Sequence, residues 1–313
     1  MSDNAITIHA PATVANLGPG FDVLGLAIDE PGDTLKMSKT VEPGIVFECD
    51  APGMPAPEKN TGYIAAAETL KLIHSKNLDR KDATNWGVHI HLTKGMPVGS
   101  GLGSSAATAV GAAIGVNALA HNPLERIDLL PACIAAEASV SGSAHADNVA
   151  PGLLGGIVLC PPGKQPIQIK TSLDLQLVMY RPTVEILTAN ARAMLPNDVP
   201  KAAAIHNAAA LAQFVAGLCS NRIDIIRGSI RDEIAEPYRK TLIPNFDTIK
   251  QAALNAGALG FSISGSGPTL FALCENTAVA ATVEDALTAA ATSSTTAPTI
   301  WTSAINPTGA TII

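Results

Sequence analysis

A loop of glycines and serines is the stretch best suited to chemistry: residues 97–107 read "PVGSGLGSSAA" and precede an alanine-rich helical run. Backbone N–H groups in a loop without large side chains can approach an anion closely, and a helix that begins at once adds unpaired N–H groups and its positive dipole end. Phosphate is therefore the expected ligand. The spacing matches neither a P-loop nor the dinucleotide fingerprint, so it predicts a nucleotide site of another type. A plain turn before a helix capped by Ser104 or Ser105 is the alternative.

Two further glycine motifs flank this loop: "PATVANLGPGFDVLGLAID" at 11–29 and "GFSISGSGPTLFALC" at 260–274. In this order, the three motifs resemble those of the GHMP kinases. Within that superfamily "ANLGPGFDVLG", together with "HADNVAPGLLGG" at 145–156 and "EPYRKTLIP" at 236–244, is similar to the homoserine kinase branch. The resemblance implies transfer of the γ-phosphoryl group of ATP to the side-chain hydroxyl of L-homoserine, a step toward threonine.

The resemblance also assigns residues to the nucleotide and to a metal ion. It implies that Glu137 and Ser105 bind Mg²⁺, a hard cation that takes few carboxylates. Glu137 is the only charge in the small, apolar stretch "CIAAEASV". Asn60 is expected near the base, although a helix cap at Asn60 or Thr61 explains the sequence nearly as well. The expected nucleotide loop comprises Pro97, Val98, Gly99, Ser100, Gly101, Leu102, Gly103, Ser104, Ser105, Ala106 and Ala107.

A small zwitterionic substrate needs cations for its carboxylate and acceptors for its ammonium group. Arg192 and Arg239 are the expected carboxylate clamp, because a guanidinium binds a carboxylate through two parallel donors. Asn16 and Asp22 flank the first glycine pair and are expected at the ammonium and hydroxyl groups. The remaining substrate contacts implied by the motifs are His145, Asn148 and Gly265.

The acceptor hydroxyl must lose a proton during the transfer. Relatives such as mevalonate kinase place an aspartate near the position of Asn148. We therefore predict that Asn148 orients the hydroxyl while Glu137 and Ser105 serve the phosphates, with no dedicated base and the proton passing to phosphate oxygens. Asp147, one residue away, is the alternative base.

The elements that position these residues alternate between strand and helix signals, which predicts an α+β protein. Strands are expected at 5–10, 21–28, 33–39 and 86–93 and helices at 62–75, 104–120 and 124–142, the last restarting at Pro131; the second half repeats the mixture. The resemblance implies a two-domain GHMP kinase fold. Its ribosomal-protein-S5-like nucleotide-binding domain would span 1–164 and its ferredoxin-like domain 165–313, divided near "CPPGKQP".

Composition excludes several other functions. With 20 basic against 27 acidic residues the chain has a net charge of −7, which argues against nucleic acid and anionic membranes as partners. We expect a cytoplasmic protein, because the N-terminus does not read as a secretory signal and no stretch reads as membrane-spanning. Five scattered cysteines are expected to be small core residues. A homodimer is expected from the resemblance. Another GHMP small-molecule kinase of the mevalonate type, or a non-catalytic binding protein of this fold, are the alternatives.

Overall fold

The computed structural model describes residues 5–76, 86–141, 145–291 and 297–313 of the chain. Strands and helices build two sheets with helices packed against them, which confirms the α+β class. The strands are β1 (Ile6–Ala15), β2 (Leu24–Thr40), β3 (Ile45–Cys49), β4 (Gly87–Thr93), β5 (Ile157–Leu159), β6 (Ile167–Ile169), β7 (Gln176–Arg181), β8 (Gly260–Ile263), β9 (Leu270–Cys274), β10 (Thr299–Ala304) and β11 (Thr311–Ile312). The helices are α1 (Thr61–Ser75), α2 (Ser104–Leu119), α3 (Leu130–Ser141), α4 (Val149–Leu154), α5 (Thr188–Ala193), α6 (Lys201–Ser220), α7 (Ile223–Ile226), α8 (Glu236–Arg239), α9 (Phe246–Asn255) and α10 (Thr277–Ala291).

The larger sheet runs in the order β11-β1-β2-β4-β3, with β5 pairing to the start of β2 and β6 pairing to β5. Helix α2 packs closely on this sheet because its residues are small. A Cβ at Gly111 would meet the Leu35 side chain within 2.5 Å, and Gly115 lies equally close against Met37. Close packing buries almost the whole helix. The start of α2 is thereby fixed against β1 and β2.

The smaller sheet runs in the order β10-β7-β9-β8, with all described neighbours antiparallel. Helices α9 and α10 cover this sheet. A second core, which includes Phe246, Phe261 and Leu270, lies between the helices and the sheet. The turn between β8 and β9 carries the third glycine motif. Its residues lie against the glycine-serine loop, so the two sheets meet there.

Several predicted elements differ from the structure. Residues 21–23 form a turn rather than strand, and the two predicted strands at 21–28 and 33–39 belong to one long strand, β2. A 3₁₀ turn precedes α3, which begins at Leu130, so the helix predicted from residue 124 restarts one residue before the predicted Pro131. The predicted division between 164 and 165 falls between β5 and β6, which pair in the larger sheet, and it stays a prediction.

Helix α6 is long and apolar enough, by length and composition alone, to cross a membrane, which we did not expect from the sequence. Its buried residues recur about every three or four positions along one face: Ala203, Asn207, Ala210, Phe214 and the adjacent Gly217 and Leu218. One face therefore packs against the protein, and core helices of water-soluble proteins pass the same length and composition test.

The cysteines are only partly buried as a group. Cys133, Cys160 and Cys274 are core residues as predicted, and Cys49 is half-buried. Cys219 is exposed near the end of α6, so the prediction of a core position was wrong for it.

The end of the chain returns to the larger sheet, where β11 pairs with β1. The Arg126 guanidinium holds this return in place by donating to the carbonyl oxygens of Leu153 at 2.7 Å, Thr308 at 2.9 Å and Ala310 at 2.8 Å. Leu153 lies in α4, so one side chain ties the chain end to that helix.

We expect Arg126→Met to lower the free energy of unfolding by about 2–4 kcal/mol, because three carbonyl groups lose a charged donor in a partly buried setting. Urea unfolding at pH 7 measures this. The control is Arg181→Met, since Arg181 makes one long, exposed hydrogen bond of 3.5 Å; it should change the same quantity by about 0.5 kcal/mol or less. Equal effects of the two substitutions would contradict the role given to Arg126.

Candidate active site

A cleft of about 450 Å³ lies where the two sheets meet, and all three glycine motifs contribute to it. Most of the predicted site residues line it. These are Asn16, Asp22, Asn60, Val98, Gly99, Ser100, Gly101, Gly103, Ser104, Ser105, Glu137, His145, Asn148, Arg192, Arg239 and Gly265, together with the alternative base Asp147. The structure thus brings together residues that are up to 249 positions apart, such as Asn16 and Gly265.

Four residues of the predicted nucleotide loop lie outside the cleft lining. Leu102, Ala106 and Ala107 are each about 1% exposed and belong to the core beneath the loop, and Pro97 points to solvent. Their side chains support the loop instead of facing a ligand. Their role in nucleotide binding stays a prediction. Their backbone groups alone could provide it.

The backbone of the loop has the conformation that its glycines allow. Gly99, Gly101 and Gly103 have φ values of 68°, 79° and 64°, a region that residues with a Cβ rarely adopt. A Cβ at Gly103 would also overlap the Thr13 hydroxyl and lie 2.8 Å from Asn148 Oδ1. Only glycine fits at the start of α2.

The carbonyl oxygens of the loop are bound by the surrounding scaffold. The Thr269 hydroxyl donates to Ser100 O at 2.6 Å, the Ser264 hydroxyl donates to Gly101 O at 2.6 Å, and the backbone N–H of Thr13 donates to Leu102 O at 3.0 Å. The carbonyl oxygens, which carry negative partial charge, therefore point toward the scaffold. This arrangement favours an anion on the opposite side of the loop.

Helix α2 begins at Ser104 directly after Gly103, its N-cap residue. Among the described residues no side chain caps this end, so the alternative of a helix capped by Ser104 or Ser105 is not what the structure shows. Ser104 instead donates to Met96 O at 3.4 Å, and Ser105 donates to the carboxylate of Glu137. The first N–H groups of α2 remain for a ligand in the cleft.

Glu137 on α3 and Ser105 on α2 form a polar pair at the cleft, with Ser105 Oγ 3.1 Å from Glu137 Oε2. Burial raises the pKa of the Glu137 carboxyl above its ordinary value, while the Ser105 hydrogen bond and the charge of Lys94 oppose that rise. A cation bound beside this carboxyl would favour its ionised form. One carboxylate and one hydroxyl suit Mg²⁺, which completes its shell with water and phosphate oxygens. In the part of the chain described, no cluster of three His, Cys, Asp or Glu side chains offers a metal a site made of protein alone.

A buried ion pair that the sequence did not indicate lies under the loop. Lys94 pairs with the fully buried carboxylate of Asp33 and also donates to Ser104 O at 3.0 Å and Thr108 Oγ1 at 3.1 Å. Asp33 also accepts from the N–H of Gly95 at 3.1 Å. The segments before and after the loop are therefore anchored on one carboxylate. In the sequence Asp33 is an ordinary polar residue of a predicted strand, so nothing there indicated its role.

The acceptor side of the cleft carries an ion pair between the first motif and α5. Arg192 Nη1 and Nη2 lie 3.2 and 3.1 Å from the two carboxylate oxygens of Asp22. His145 Nε2 lies 3.5 Å from Asp22 Oδ2. Burial lowers the pKa of His145, with Asp22 opposing and Arg192 reinforcing the shift. Positive and negative charges thus stand side by side, as a zwitterion requires.

Arg239 at the end of α8 is only 3% exposed, yet it lines the cleft. Its guanidinium donates to Gly265 O at 2.9 Å and Ala191 O at 3.3 Å. Among the described residues, no carboxylate forms an ion pair with it. Burial, and secondly the charge of Arg192, lower its pKa. A buried cation whose hydrogen bonds to the described residues all go to carbonyl oxygens favours an anion in the cleft.

Asn16 uses both ends of its amide within the protein. Its Nδ2 donates to Gly265 O at 3.0 Å, and its Oδ1 accepts from the N–H of Asp22 at 3.0 Å. Its backbone is left-handed, with φ 71°. The geometry therefore favours a positioning role for Asn16, joining the first motif to the third, while its predicted contact with a ligand stays a prediction.

Asn148 precedes α4 and is oriented by Thr13, whose hydroxyl donates to Asn148 Oδ1 at 2.7 Å. The Nδ2 end of the amide is then the end available for hydrogen bonding in the cleft. Thr13 is fully buried in β1; it lies within the first motif, but no role was predicted for it. Its neighbour in the cleft, Asp147, is 4% exposed, and burial followed by the charge of Asp22 raises the pKa of its carboxyl to about 7.

Asn60 caps α1, with its Oδ1 accepting from the N–H of Gly62 at 2.9 Å. The helix-cap alternative is therefore what the structure shows. Asn60 also lines the cleft beside Met54, Val98 and Val140. The last two are 57% exposed, so this end of the cleft offers apolar surface on which a nucleobase could stack.

Comparison with known proteins agrees with this geometry. Residues 65–156 match the model of the GHMP kinases N terminal domain and residues 210–292 that of the GHMP kinases C terminal domain. The homoserine kinase of Chloroherpeton thalassium is 36% identical over 293 residues, covering 90% of this chain and 91% of that protein. The homoserine kinase of Pyrococcus abyssi is 38% identical over 272 residues, covering 86% and 87%.

Solved structures give the same result. The crystal structure of homoserine kinase from Cytophaga hutchinsonii has a TM-score of 0.92 at 38% identity and covers 100% of this chain and 98% of its own. The L. major mevalonate kinase in complex with R-mevalonate has a TM-score of 0.69 at 17% identity, with 96% and 95% covered, and shares the fold. The expected two-domain fold is confirmed.

We expect the raised pKa of Asp147 to appear in the pH dependence of stability. The unfolded chain releases this proton near pH 3.8, while the folded protein retains it to about pH 7. The stabilising contribution is thus complete below about pH 3.8 and is lost as the pH rises to about 7. The unfolding free energy of the wild type relative to Asp147→Asn should fall over this window at up to about 1.4 kcal/mol per pH unit. Denaturant unfolding of both proteins from pH 4 to 8 measures it; a constant difference would contradict the shift.

Proposed function

We propose, on the premise that the chain belongs to the homoserine kinases of the GHMP kinase family, that it phosphorylates the side-chain hydroxyl of L-homoserine with ATP, giving O-phospho-L-homoserine. The supporting observation is the position of the Asp22, Arg192 and Arg239 charges beside the glycine loop. A zwitterionic acceptor would thereby lie next to the phosphate it receives.

The acceptor binds through both of its charges. Arg192 and Arg239 donate to its carboxylate, and Asp22 accepts from its ammonium group. Asp22 and Arg192 already pair with each other. An acceptor with only one charge therefore offers a new partner either to the Asp22 carboxylate or to the arginines, and leaves the other without one. The site therefore favours amino acids over neutral or singly charged alcohols.

The nucleotide occupies the other half of the cleft. Backbone N–H groups of the loop and of the start of α2 bind its phosphates, and the Asp33–Lys94 pair keeps both ends of that loop in place. Glu137 and Ser105 would hold Mg²⁺, which when bound neutralises charge on the β- and γ-phosphates. The nucleobase lies beside Asn60, Val98 and Val140.

The residues act by positioning and by electrostatic stabilisation. Thr13 orients the Asn148 amide, so that its Nδ2 can direct the acceptor hydroxyl toward the γ-phosphate. The N–H groups at the start of α2 stabilise charge that develops on the transferred group. The hydroxyl proton passes to a phosphate oxygen. Asp147 is buried and its pKa is raised to about 7, so its carboxyl group is about half ionised at pH 7 and it stays the alternative base.

A homodimer, as the resemblance implies, and the cytoplasmic location expected from the sequence complete the proposal. The expected absence of nucleic acid and membrane partners rests on the net charge of −7 and stays a prediction. A mevalonate-type kinase, whose acceptor carries a carboxylate but no ammonium group, would not need the Asp22 carboxylate beside the two cleft arginines. A binding protein without activity would not need a glycine loop joined to Ser105 and Glu137.

We expect ADP release in the presence of Mg²⁺ to be strong with L-homoserine and weak with mevalonate, galactose and L-serine. L-Serine has both charges but a hydroxyl one carbon closer to them, so it tests the reach of the site. Glu137→Gln measures the background of contaminating ATPase. Strong turnover of another acceptor would retain the fold and reject the clamp, and no turnover with any acceptor would favour the binding protein.

Asp147→Asn tests the proposed absence of a base. We expect kcat to stay within about tenfold of the wild type at pH 7.5, because a general base typically contributes about 10²–10⁴-fold. Asn148→Ala is the matched neighbour and should lower kcat more than Asp147→Asn does. A loss of more than a hundredfold in Asp147→Asn, with unchanged KM for both substrates, would make Asp147 the base.

A further inference from the structure

Phe21 lies in the glycine turn of the first motif, directly before Asp22. Its ring centroid is 5.3 Å from the guanidinium carbon of Arg239 and 5.9 Å from that of Arg192. These arginines come from different elements, α8 and α5. A single aromatic ring thus contacts both cations of the acceptor side.

The turn that carries Phe21 has a fixed shape. The N–H of Gly20 donates to Asn16 O at 2.9 Å, and the N–H of Leu24 donates to Gly20 O at 2.9 Å. A Cβ at Gly20 would lie 2.8 Å from Asn16 O. The ring therefore projects from a backbone that has little freedom to move.

Two neighbouring guanidinium groups repel each other, and the cleft compensates them unequally. Arg192 has the carboxylate of Asp22, whereas the partners of Arg239 are the carbonyl oxygens of Ala191 and Gly265. The face of an aromatic ring attracts cations through its quadrupole without carrying a formal charge. A second carboxylate at this place would neutralise the arginines and compete with the carboxylate of the acceptor. A phenyl ring holds the two cations together and leaves their charge available.

We propose that Phe21 is a positioning residue that sets the spacing of Arg192 and Arg239 and thereby the selectivity for acceptors bearing a carboxylate. This inference rests on the proposed function, since it assigns the two arginines to the acceptor carboxylate. In the turn of the first motif, acceptor contacts were predicted only for Asn16 and Asp22. Phe21 is a further residue of that turn, and it determines specificity.

The experiment compares L-homoserine with 3-aminopropan-1-ol, which has the same hydroxyl and ammonium group but no carboxylate. In Phe21→Leu we expect kcat/KM for homoserine to fall about five- to tenfold, since two cation–π contacts are lost. The value for 3-aminopropan-1-ol should change less than about twofold, and the KM for ATP should not change. Phe21→Tyr retains the aromatic face and should restore the wild-type ratio between the two acceptors.

Two further variants separate this role from general packing. Phe21→Met keeps an apolar side chain of similar length and serves if Phe21→Leu fails to fold; it should reproduce the loss of selectivity. Phe246→Leu is the matched control, because it also removes a cation–π contact: Lys250 Nζ lies 5.6 Å from the Phe246 ring centroid, and neither residue lines the cleft. This variant should leave the ratio of kcat/KM between the two acceptors unchanged.

The failures are distinguishable. If the wild type does not phosphorylate homoserine, the proposed function is wrong and the role of Phe21 falls with it. If the wild type does so and the non-aromatic variants lose activity equally on both acceptors, or on neither, only the inference about Phe21 is wrong.

Discussion

The hydrogen bonds that bind the carbonyl oxygens of the glycine loop are the interactions on which the site depends. Thr13 in the first motif holds Leu102, while Ser264 and Thr269 in the third motif hold Gly101 and Ser100. Because a bound anion needs N–H groups directed toward it, the opposite faces of these peptides must be occupied by donors of the protein. Three distant motifs are therefore parts of one anion-binding surface, and the cleft exists only where the two sheets meet.

Charge in the cleft is separated into two regions. On the nucleotide side, the Lys94 charge is compensated by Asp33 beneath the loop, so that the positive potential toward phosphate comes mainly from backbone N–H groups. On the acceptor side, the cations remain partly uncompensated, since Arg239 is buried against carbonyl oxygens and Arg192 shares Asp22 with His145. A buried, partly uncompensated cation costs folding free energy, and such a cost is typical of a site whose missing partner is a ligand.

The sequence was sufficient for the fold class and for the residues that carry the glycine motifs, because glycine favours the left-handed backbone that Gly99, Gly101 and Gly103 adopt. The resemblance supplied Arg192 and Arg239, which now lie together on the cleft. The roles of Thr13 and Asp33 could not be found in this way, although Thr13 lies within the first motif. Each is a polar residue in a strand, and only tertiary contacts 135 and 61 positions along the chain give it a role. Strands β10 and β11 are rich in Thr and Ile, which favour strands, but only their pairing with β7 and β1 shows which sheet each one joins.

Thr13 connects the two halves of the chemistry. Its backbone N–H binds the loop at Leu102, and its hydroxyl binds the Asn148 amide. Gly103 packs against both side chains so closely that any Cβ would separate them. A shift of the phosphate loop therefore changes the orientation of the residue that directs the acceptor hydroxyl, and the reverse also holds. Since phosphoryl transfer gains mainly from alignment of donor and acceptor oxygens, this shared residue lets a rigid site align two substrates that bind on different elements.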